Sequence, residues 1–87
     1  MDIDPFLCDV RRMIYRTICA TYDGTKWKRF VLNFIDGMYS LDCYMDDSRR
    51  YNAIELLIKE VERGKEYDVY VDDIIAICTR KKNYYTV

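Results

Sequence analysis

The chain has no histidine, a single proline and three glycines among its 87 residues. Without histidine, the usual general base of serine and cysteine nucleophiles and a frequent metal ligand are missing. No glycine-rich phosphate loop is present either. The sequence contains no low-complexity tract, and 51% of its residues are apolar, a composition that argues against a disordered chain. We therefore expect residues 1–87 to form one compact domain that is not an enzyme and holds no metal or cofactor.

Long apolar runs are also missing, since no segment reaches the roughly 18–20 apolar residues of a membrane span. The acidic start Met1-Asp2-Ile3-Asp4 lacks the basic residues that open a signal peptide. The cysteines are dispersed without a Cys-x-x-Cys pair, which gives little support to a zinc site: Cys8, Cys19, Cys43 and Cys78. We expect free and largely buried thiols in a protein of the reducing cytoplasm.

The net charge of −1, from 14 basic and 15 acidic residues, conceals an uneven distribution. Residues 40–47 and 66–73 contain seven acidic side chains and no basic one, so the rest of the chain carries a net charge of +6. This pattern fits either an ordinary mixed surface or an acidic edge that attracts a basic partner.

Two Asp-Gly dipeptides, Asp23-Gly24 and Asp36-Gly37, lie between β-prone runs, where this dipeptide favours a tight hairpin turn. The segment between them predicts a strand from Trp27 to Ile35, with alternating apolar faces. Adding strands at about Tyr15–Tyr22 and Met38–Tyr44 gives a three-stranded antiparallel meander.

A helix is predicted next, over about Ser48–Arg63, with Asp46, Asp47 or Ser48 as its cap and Gly64 as a left-handed stop. A shorter helix is predicted from about Pro5 to Arg12 or beyond. Residues 67–72 alternate and residues 74–79 form an apolar run, which indicates one or two further strands. The predicted fold is an α+β domain, with an antiparallel sheet of four or five strands and the main helix packed on one face.

The same acidic tetrad occurs twice, as Tyr44-Met45-Asp46-Asp47 and Tyr70-Val71-Asp72-Asp73. The second resembles the catalytic Tyr-x-Asp-Asp hairpin of reverse transcriptases. A polymerase palm also needs an acidic position on a distant strand, and here Asp42 lies only 30 residues before Asp72. Because 87 residues leave no room for a template-primer cleft, we interpret the first Asp pair as a helix cap and the second as a solvated turn or bulge.

The two acidic runs also contain tyrosines, which supply rigid contact area at low entropic cost. Spaced carboxylates can occupy the positions of phosphates in a basic groove, so these runs could bind a nucleic-acid-handling protein. The candidate partner-binding residues are Asp42, Tyr44, Asp46, Asp47, Glu66, Tyr67, Asp68, Tyr70, Asp72 and Asp73. Whether the two runs share one surface depends on the direction of the last strand.

In size, acidic-aromatic character and lack of catalytic groups, the chain resembles small phage-encoded inhibitors of the anti-CRISPR type. The resemblance is compositional, with no shared motif, so it carries over no functional residue. It implies a phage protein that binds a CRISPR nuclease of the host and blocks DNA binding or cleavage. The net charge of +6 outside the acidic runs favours a limited acidic edge over a full mimic of DNA.

Two alternatives remain open. Arg80-Lys81-Lys82 is followed by Asn83-Tyr84-Tyr85, and Lys26-Trp27-Lys28-Arg29 forms a second cluster of cations beside rings. Such clusters are typical of nucleic-acid-binding proteins, so the second hypothesis is a small nucleic-acid-binding regulatory module. The third is a subunit that dimerises by pairing an exposed strand edge.

Overall fold

The computed structural model describes residues 3–86, so the acidic start at Met1 and Asp2 lies, with Val87, outside the described residues. Four helices account for most of this length: α1 spans Asp4–Arg16, α2 Tyr22–Leu41, α3 Asp47–Glu62 and α4 Val71–Tyr84. Short 3-10 turns at Asp42–Tyr44 and Arg63–Glu66 follow α2 and α3. None of the helices between residues 3 and 86 is long and apolar enough to cross a bilayer.

The predicted α+β fold is wrong, because residues 3–86 contain helices and no β-strand. The antiparallel sheet of four or five strands is replaced by an all-helical domain. Dimerisation by pairing a strand edge therefore has no structural basis in the described part of the chain.

The predicted meander is in fact the end of α1, a connector and the whole of α2. The buried side chains of α2 lie four, four and three residues apart, at Trp27, Val31, Ile35 and Met38. That spacing places them on one face of a helix. The apparent alternation between residues 27 and 35 arose because apolar side chains also occupy the neighbouring, partly exposed positions of the same helix.

The two Asp-Gly dipeptides lie inside a helix and make no hairpin turn. Asp23 is in the first turn of α2, where its negative charge is favoured by the helix dipole, and Asp36 is in the last third of the same helix. No glycine between residues 3 and 86 has a positive φ, so the left-handed backbone that a type I′ turn requires is not adopted. The same finding overturns the prediction that Gly64 is a left-handed stop.

The predicted C-terminal strands are also wrong, because residues 71–84 form α4. Val71, Ile74 and Cys78 are buried at intervals of three and four residues, which is helical spacing. Asp72 and Asp73 therefore lie in the first turn of a helix, and not in a solvated turn or bulge between strands.

The two helices that the sequence predicted are present as α1 and α3. Proline occupies the first turn of α1, where its missing N–H costs nothing. The Asp46 side chain caps α3 by accepting a hydrogen bond from the backbone N–H of Arg49 at 2.8 Å.

The four helices form an antiparallel bundle in which each packs against the next, and α4 packs back against α1. The indole N–H of Trp27, near the start of α2, donates to the carbonyl of Glu60, near the end of α3, at 2.8 Å. Lys65, just after α3, lies 3.8 Å from Asp72 at the start of α4. We call the end where α1 and α3 begin the upper end, and the end where α2 and α4 begin the lower end.

Aliphatic side chains from all four helices fill the space between them. The fully buried ones include Leu7, Val10, Ile14, Val31, Ile35, Ile54, Leu57, Val61, Val71 and Ile74. Towards the lower end the core is closed by Trp27, whose indole lies against Gly64 and 5.9 Å from the ring of Tyr67.

Candidate functional site

The first acidic run lies at the upper end, and its first carboxylate is not on the surface. Asp42 is only 8% exposed, and its Oδ1 lies 3.4 Å from the Nη2 of Arg50. Tyr44, in contrast, is exposed. Asp42 therefore joins the turn after α2 to the start of α3, and a partner could reach it only by opening this packing.

The Asp pair of the first tetrad is committed to the start of α3. Asp46 is the N-cap, and Asp47 lies in the first turn, 3.9 Å from the Nη1 of Arg50. Both carboxylates are exposed on their outer side, yet their positions follow from capping and from the helix dipole. The interpretation of this pair as a helix cap is confirmed.

The second acidic run lies at the lower end. Tyr67 is half-buried against Trp27, and Tyr70 is half-buried at the N-cap of α4. Glu66 and Asp73 are exposed, and Asp72 is exposed beside Lys65. Three carboxylates of this run therefore face solvent at one end of the bundle.

The two runs do not share a surface. The first lies at the start of α3 and the second follows its end, and a helix of 16 residues is about 24 Å long. The start of α3 instead meets the end of α4, where the guanidinium of Arg50 lies 5.8 Å from the ring of Tyr85. The ten candidate residues therefore form two separate groups, one at each end.

Asp68 links two connectors across the lower end. Its Oδ2 accepts a hydrogen bond from the backbone N–H of Ile18, and its Oδ1 accepts one from the backbone N–H of Tyr70, both at 2.8 Å. These two bonds, the one from Ile18 first, hold the pKa of Asp68 below its ordinary value. Asp68 thus has a structural role, which is to hold the connector after α1 against the loop before α4.

Replacing Asp68 with asparagine tests this role. Asparagine has one acceptor oxygen instead of two, so we expect a lower urea midpoint at neutral pH. Because the folded pKa is lowered, the stability that Asp68 adds is fully present above the unfolded pKa of about 3.9 and is lost as the pH falls through the folded pKa. The difference between wild type and Asp68→Asn should therefore shrink below about pH 4. Urea unfolding at a series of pH values measures it, with Asp73→Asn as the exposed control.

An equal loss of stability at pH 7 and at pH 2.5 would contradict this role of the charged Asp68 side chain. A control variant that matched Asp68→Asn at neutral pH would contradict it as well, because Asp73 lies on the surface of the same helix start.

The Asp68 bonds hold the backbones of two exposed aliphatic residues, Ile18 and Val69, near each other. Val69 is 87% exposed and Ile18 is 78% exposed, and Tyr22, at the start of α2, is 77% exposed. The sequence did not predict this apolar group, because Ile18 and Tyr22 were assigned to a strand. The available signal was an aliphatic residue in each of two polar connectors, where no helix would bury it.

The basic cluster around Trp27 offers no stacking surface. Trp27 is buried and its N–H is bonded to Glu60. The Nζ of Lys28 donates to the carbonyls of Tyr15 at 2.7 Å and Thr17 at 3.0 Å, so it satisfies carbonyls at the end of α1. Trp27 and Lys28 therefore stabilise the fold. Nucleic-acid binding would have to use the other cluster, which lies at the end of α4.

The cluster at the end of α4 is divided between core and surface. Tyr85 is 4% exposed, and its neighbour Tyr84 is 60% exposed. Lys81 lies over both rings, 5.2 Å from the centre of Tyr84 and 5.4 Å from that of Tyr85. Lys82 lies over the ring of Tyr51, and Arg80 is exposed. One tyrosine ring of the predicted pair is therefore open to a ligand.

No group of three or more metal-binding side chains comes together within residues 3–86. All four cysteines are free. Cys78 is buried, and burial raises the pKa of its thiol to about 12, whereas Cys8 and Cys43 are exposed. The expectation that the thiols are largely buried is thus wrong for these two.

No protein-family model, curated protein or solved structure gives a match to this chain.

Proposed function

We propose that this chain is a non-enzymatic protein-binding domain whose partner docks on the lower end of the bundle. The observation that carries the proposal is the exposed apolar group next to the second acidic run. We call it the Ile18–Val69 surface, and it consists of Ile18, Tyr22 and Val69 with the carboxylates of Glu66, Asp72 and Asp73.

Single exposed apolar side chains are normal on protein surfaces, but a group of them at one place marks an interaction site. Ile18 and Val69 stand in connectors, where either could be polar at no cost to the helices. Burying an aliphatic side chain that is now in water yields about 1.5–3 kcal/mol. The Asp68 bonds fix the backbone beneath both residues, so little conformational entropy remains to be lost when a partner binds.

The charges around this surface define the chemistry of the partner. Glu66 and Asp73 are exposed, and no ion pair within residues 3–86 involves their side chains. A basic rim around an apolar pocket would complement them, and opposite charges would speed the encounter. Proteins that handle nucleic acids carry such rims, and a CRISPR nuclease of a phage host is the specific partner that we propose, with inhibition of DNA binding or cleavage as the result.

The proposal places the protein in the cytoplasm, where the reducing environment keeps exposed thiols such as those of Cys8 and Cys43 unpaired. It uses only the second acidic run, because Asp42, Asp46 and Asp47 of the first run are engaged in packing and capping at the other end.

The double variant Ile18→Ser/Val69→Ser tests the apolar part of the surface. Both side chains are exposed, so the helical content and urea midpoint should stay close to those of the wild type. Binding to the captured host protein should weaken about 100-fold, as expected when central apolar contacts of an interface are removed. Affinity capture with the wild type provides the partner, and titration by biolayer interferometry gives each dissociation constant.

Leu56→Ser is the matched control, because Leu56 is an aliphatic residue on the surface of α3, 52% exposed. It should leave the dissociation constant unchanged. Asp73→Lys should slow association, whereas Asp47→Lys at the upper end should not. Unchanged binding of the double variant, or loss of binding by Leu56→Ser or Asp47→Lys, would overturn the assignment of the partner to the lower end.

A further inference from the structure

An open groove lies between α1 and α4, towards the upper end. Its volume is about 470 Å³, within the range of about 300–1,000 Å³ that is usual for ligand sites. Pro5, Phe6 and Asp9 of α1 form one wall. Ile77, Arg80, Lys81 and Tyr84 of α4 form the other.

The base of the groove is apolar and already formed. Phe6 is buried and Ile77 half-buried, so both present part of a side chain to the groove. The ring of Tyr84 stands edge-on against Tyr85 at 5.5 Å, and the Lys81 ammonium lies over it. Because these contacts fix the wall, a ligand would not have to order it.

The charges of the groove are uneven. Arg80 is exposed, and no ion pair within residues 3–86 involves it. Asp9, on the opposite wall, lies 3.7 Å from the Nη2 of Arg12, which offsets its charge. Cations at the end of a helix are also favoured by its dipole, but that effect does not require an apolar groove beside them.

We propose that the α1–α4 groove binds a peptide segment in which a large apolar residue stands next to an acidic one. The apolar side chain covers Phe6 and Ile77 and packs on the ring of Tyr84, and the carboxylate pairs with Arg80. A guanidinium–carboxylate pair is planar and can be bidentate, which gives it more specificity than a contact with an ammonium group.

A peptide fits this groove better than a nucleic acid does. Stacking of successive bases requires several open rings along a basic track. Here Tyr84 is the open ring, since Tyr85 is buried at 4% exposure. Half of the groove is formed by apolar side chains, which contribute nothing to phosphate binding. The site is independent of the Ile18–Val69 surface, which lies at the other end of the bundle.

The test uses three fluorescein-labelled probes and the intact chain. One peptide alternates glutamate with leucine and phenylalanine, the second has lysine in place of glutamate, and the third probe is oligothymidine. Of the three probes, fluorescence anisotropy should show saturable binding only for the acidic peptide. Arg80→Glu should weaken this binding at least about tenfold, and the exposed control Lys59→Glu on α3 should not. Amide chemical shifts of ¹⁵N-labelled protein should change along α1 and α4.

Several results would overturn the proposal. The acidic peptide could fail to bind, or the lysine peptide could bind equally well. Binding of oligothymidine that is lost in Arg80→Glu would identify the groove as a nucleic-acid site. Self-association that Arg80→Glu abolishes would identify a second copy as the occupant. Arg80→Gln is measured in parallel, so that a folding defect of the charge reversal cannot mimic a loss of binding. The Ile18→Ser/Val69→Ser variant should bind the acidic peptide normally, which separates this site from the proposed function.

Discussion

Gly64→Ala is expected to lower the free energy of unfolding by about 3 kcal/mol. A methyl group at Gly64 would overlap the six-membered ring of Trp27, because the indole lies directly against the glycine Cα. Gly64 belongs to the 3-10 turn Arg63–Glu66 and is buried. Its role is therefore to let a backbone and an indole approach closely, and it has no need of a left-handed conformation.

The indole cannot easily move away from this overlap. Its N–H is bonded to the carbonyl of Glu60 at 2.8 Å, and its other neighbour is the ring of Tyr67 at 5.9 Å. A shift of Trp27 would break the hydrogen bond that joins α2 to α3 and would loosen the lower end. Urea unfolding followed by circular dichroism and by Trp27 fluorescence gives the free energy change.

Gly37→Ala is the matched control and should have the opposite sign. Gly37 lies in the interior of α2, and a Cβ there would have no atom within 4 Å. Because alanine has a higher helix propensity than glycine, the variant should be more stable by about 0.5–1 kcal/mol. A Gly64→Ala variant that is as stable as the wild type, or more stable, would refute the packing of Trp27 on Gly64.

The second large effect is expected at the upper end, where Arg50→Ala should cost about 3 kcal/mol. The side chain of Arg50 is 17% exposed and that of Asp42 is 11% exposed. The Nη2 of Arg50 lies 3.4 Å from the carboxylate and 3.3 Å from the carbonyl of Asp42, and the guanidinium packs against Tyr85. Without Arg50, a largely buried carboxylate loses its ion-pair partner, and this penalty exceeds the value of a surface pair.

Arg49→Ala is the control for Arg50→Ala, because Arg49 is the arginine that immediately precedes Arg50 in the sequence. Arg49 is exposed, and truncation of its side chain should change stability by no more than about 0.5 kcal/mol. A double-mutant cycle with Asp42→Asn measures the coupling between Arg50 and Asp42. A coupling energy near zero, or equal effects of the two arginine substitutions, would exclude a stabilising ion pair.

The sequence predicted helices α1 and α3 because their signals are local. Pro5 in the first turn and the capping side chain of Asp46 act within a few residues of themselves, and the apolar stripe of α3 is continuous. Helix α2 was assigned to strands for an equally local reason. Trp, Phe, Val, Ile and Tyr are all frequent in strands, and Asp-Gly is a strong turn signal.

What decided the structure of α2 is burial of the face that carries Trp27, Val31 and Ile35 against the neighbouring helices α1 and α3. Tertiary packing of this kind overrides intrinsic propensity. A spacing of four residues was visible in the sequence, but it competed there with an alternating pattern that used the same residues. For the same reason, the first Asp pair was correctly assigned to the start of a helix, whereas the second was wrongly assigned to a turn or bulge between strands.

The candidate site depends on contacts between residues far apart in the chain, which a single sequence does not reveal. The bond from the N–H of Ile18 to Asp68 spans 50 residues. It makes Asp68 a structural residue, although the composition of the second acidic run suggested that Asp68 binds a partner. The separation of the two acidic runs has the same origin. It follows from the antiparallel path of α3 and α4, a direction that the sequence did not determine.

An even number of antiparallel helices brings residues 3 and 86 to the upper end together. Pro5 and Tyr84 line the same groove there. A tether, a dye or a fused protein attached next to either residue is therefore directed away from the Ile18–Val69 surface. When the chain is immobilised through such a tether, the proposed partner surface faces the solution. The α1–α4 groove then lies close to the support, so binding at the two proposed sites can be measured separately by changing only the length of the linker.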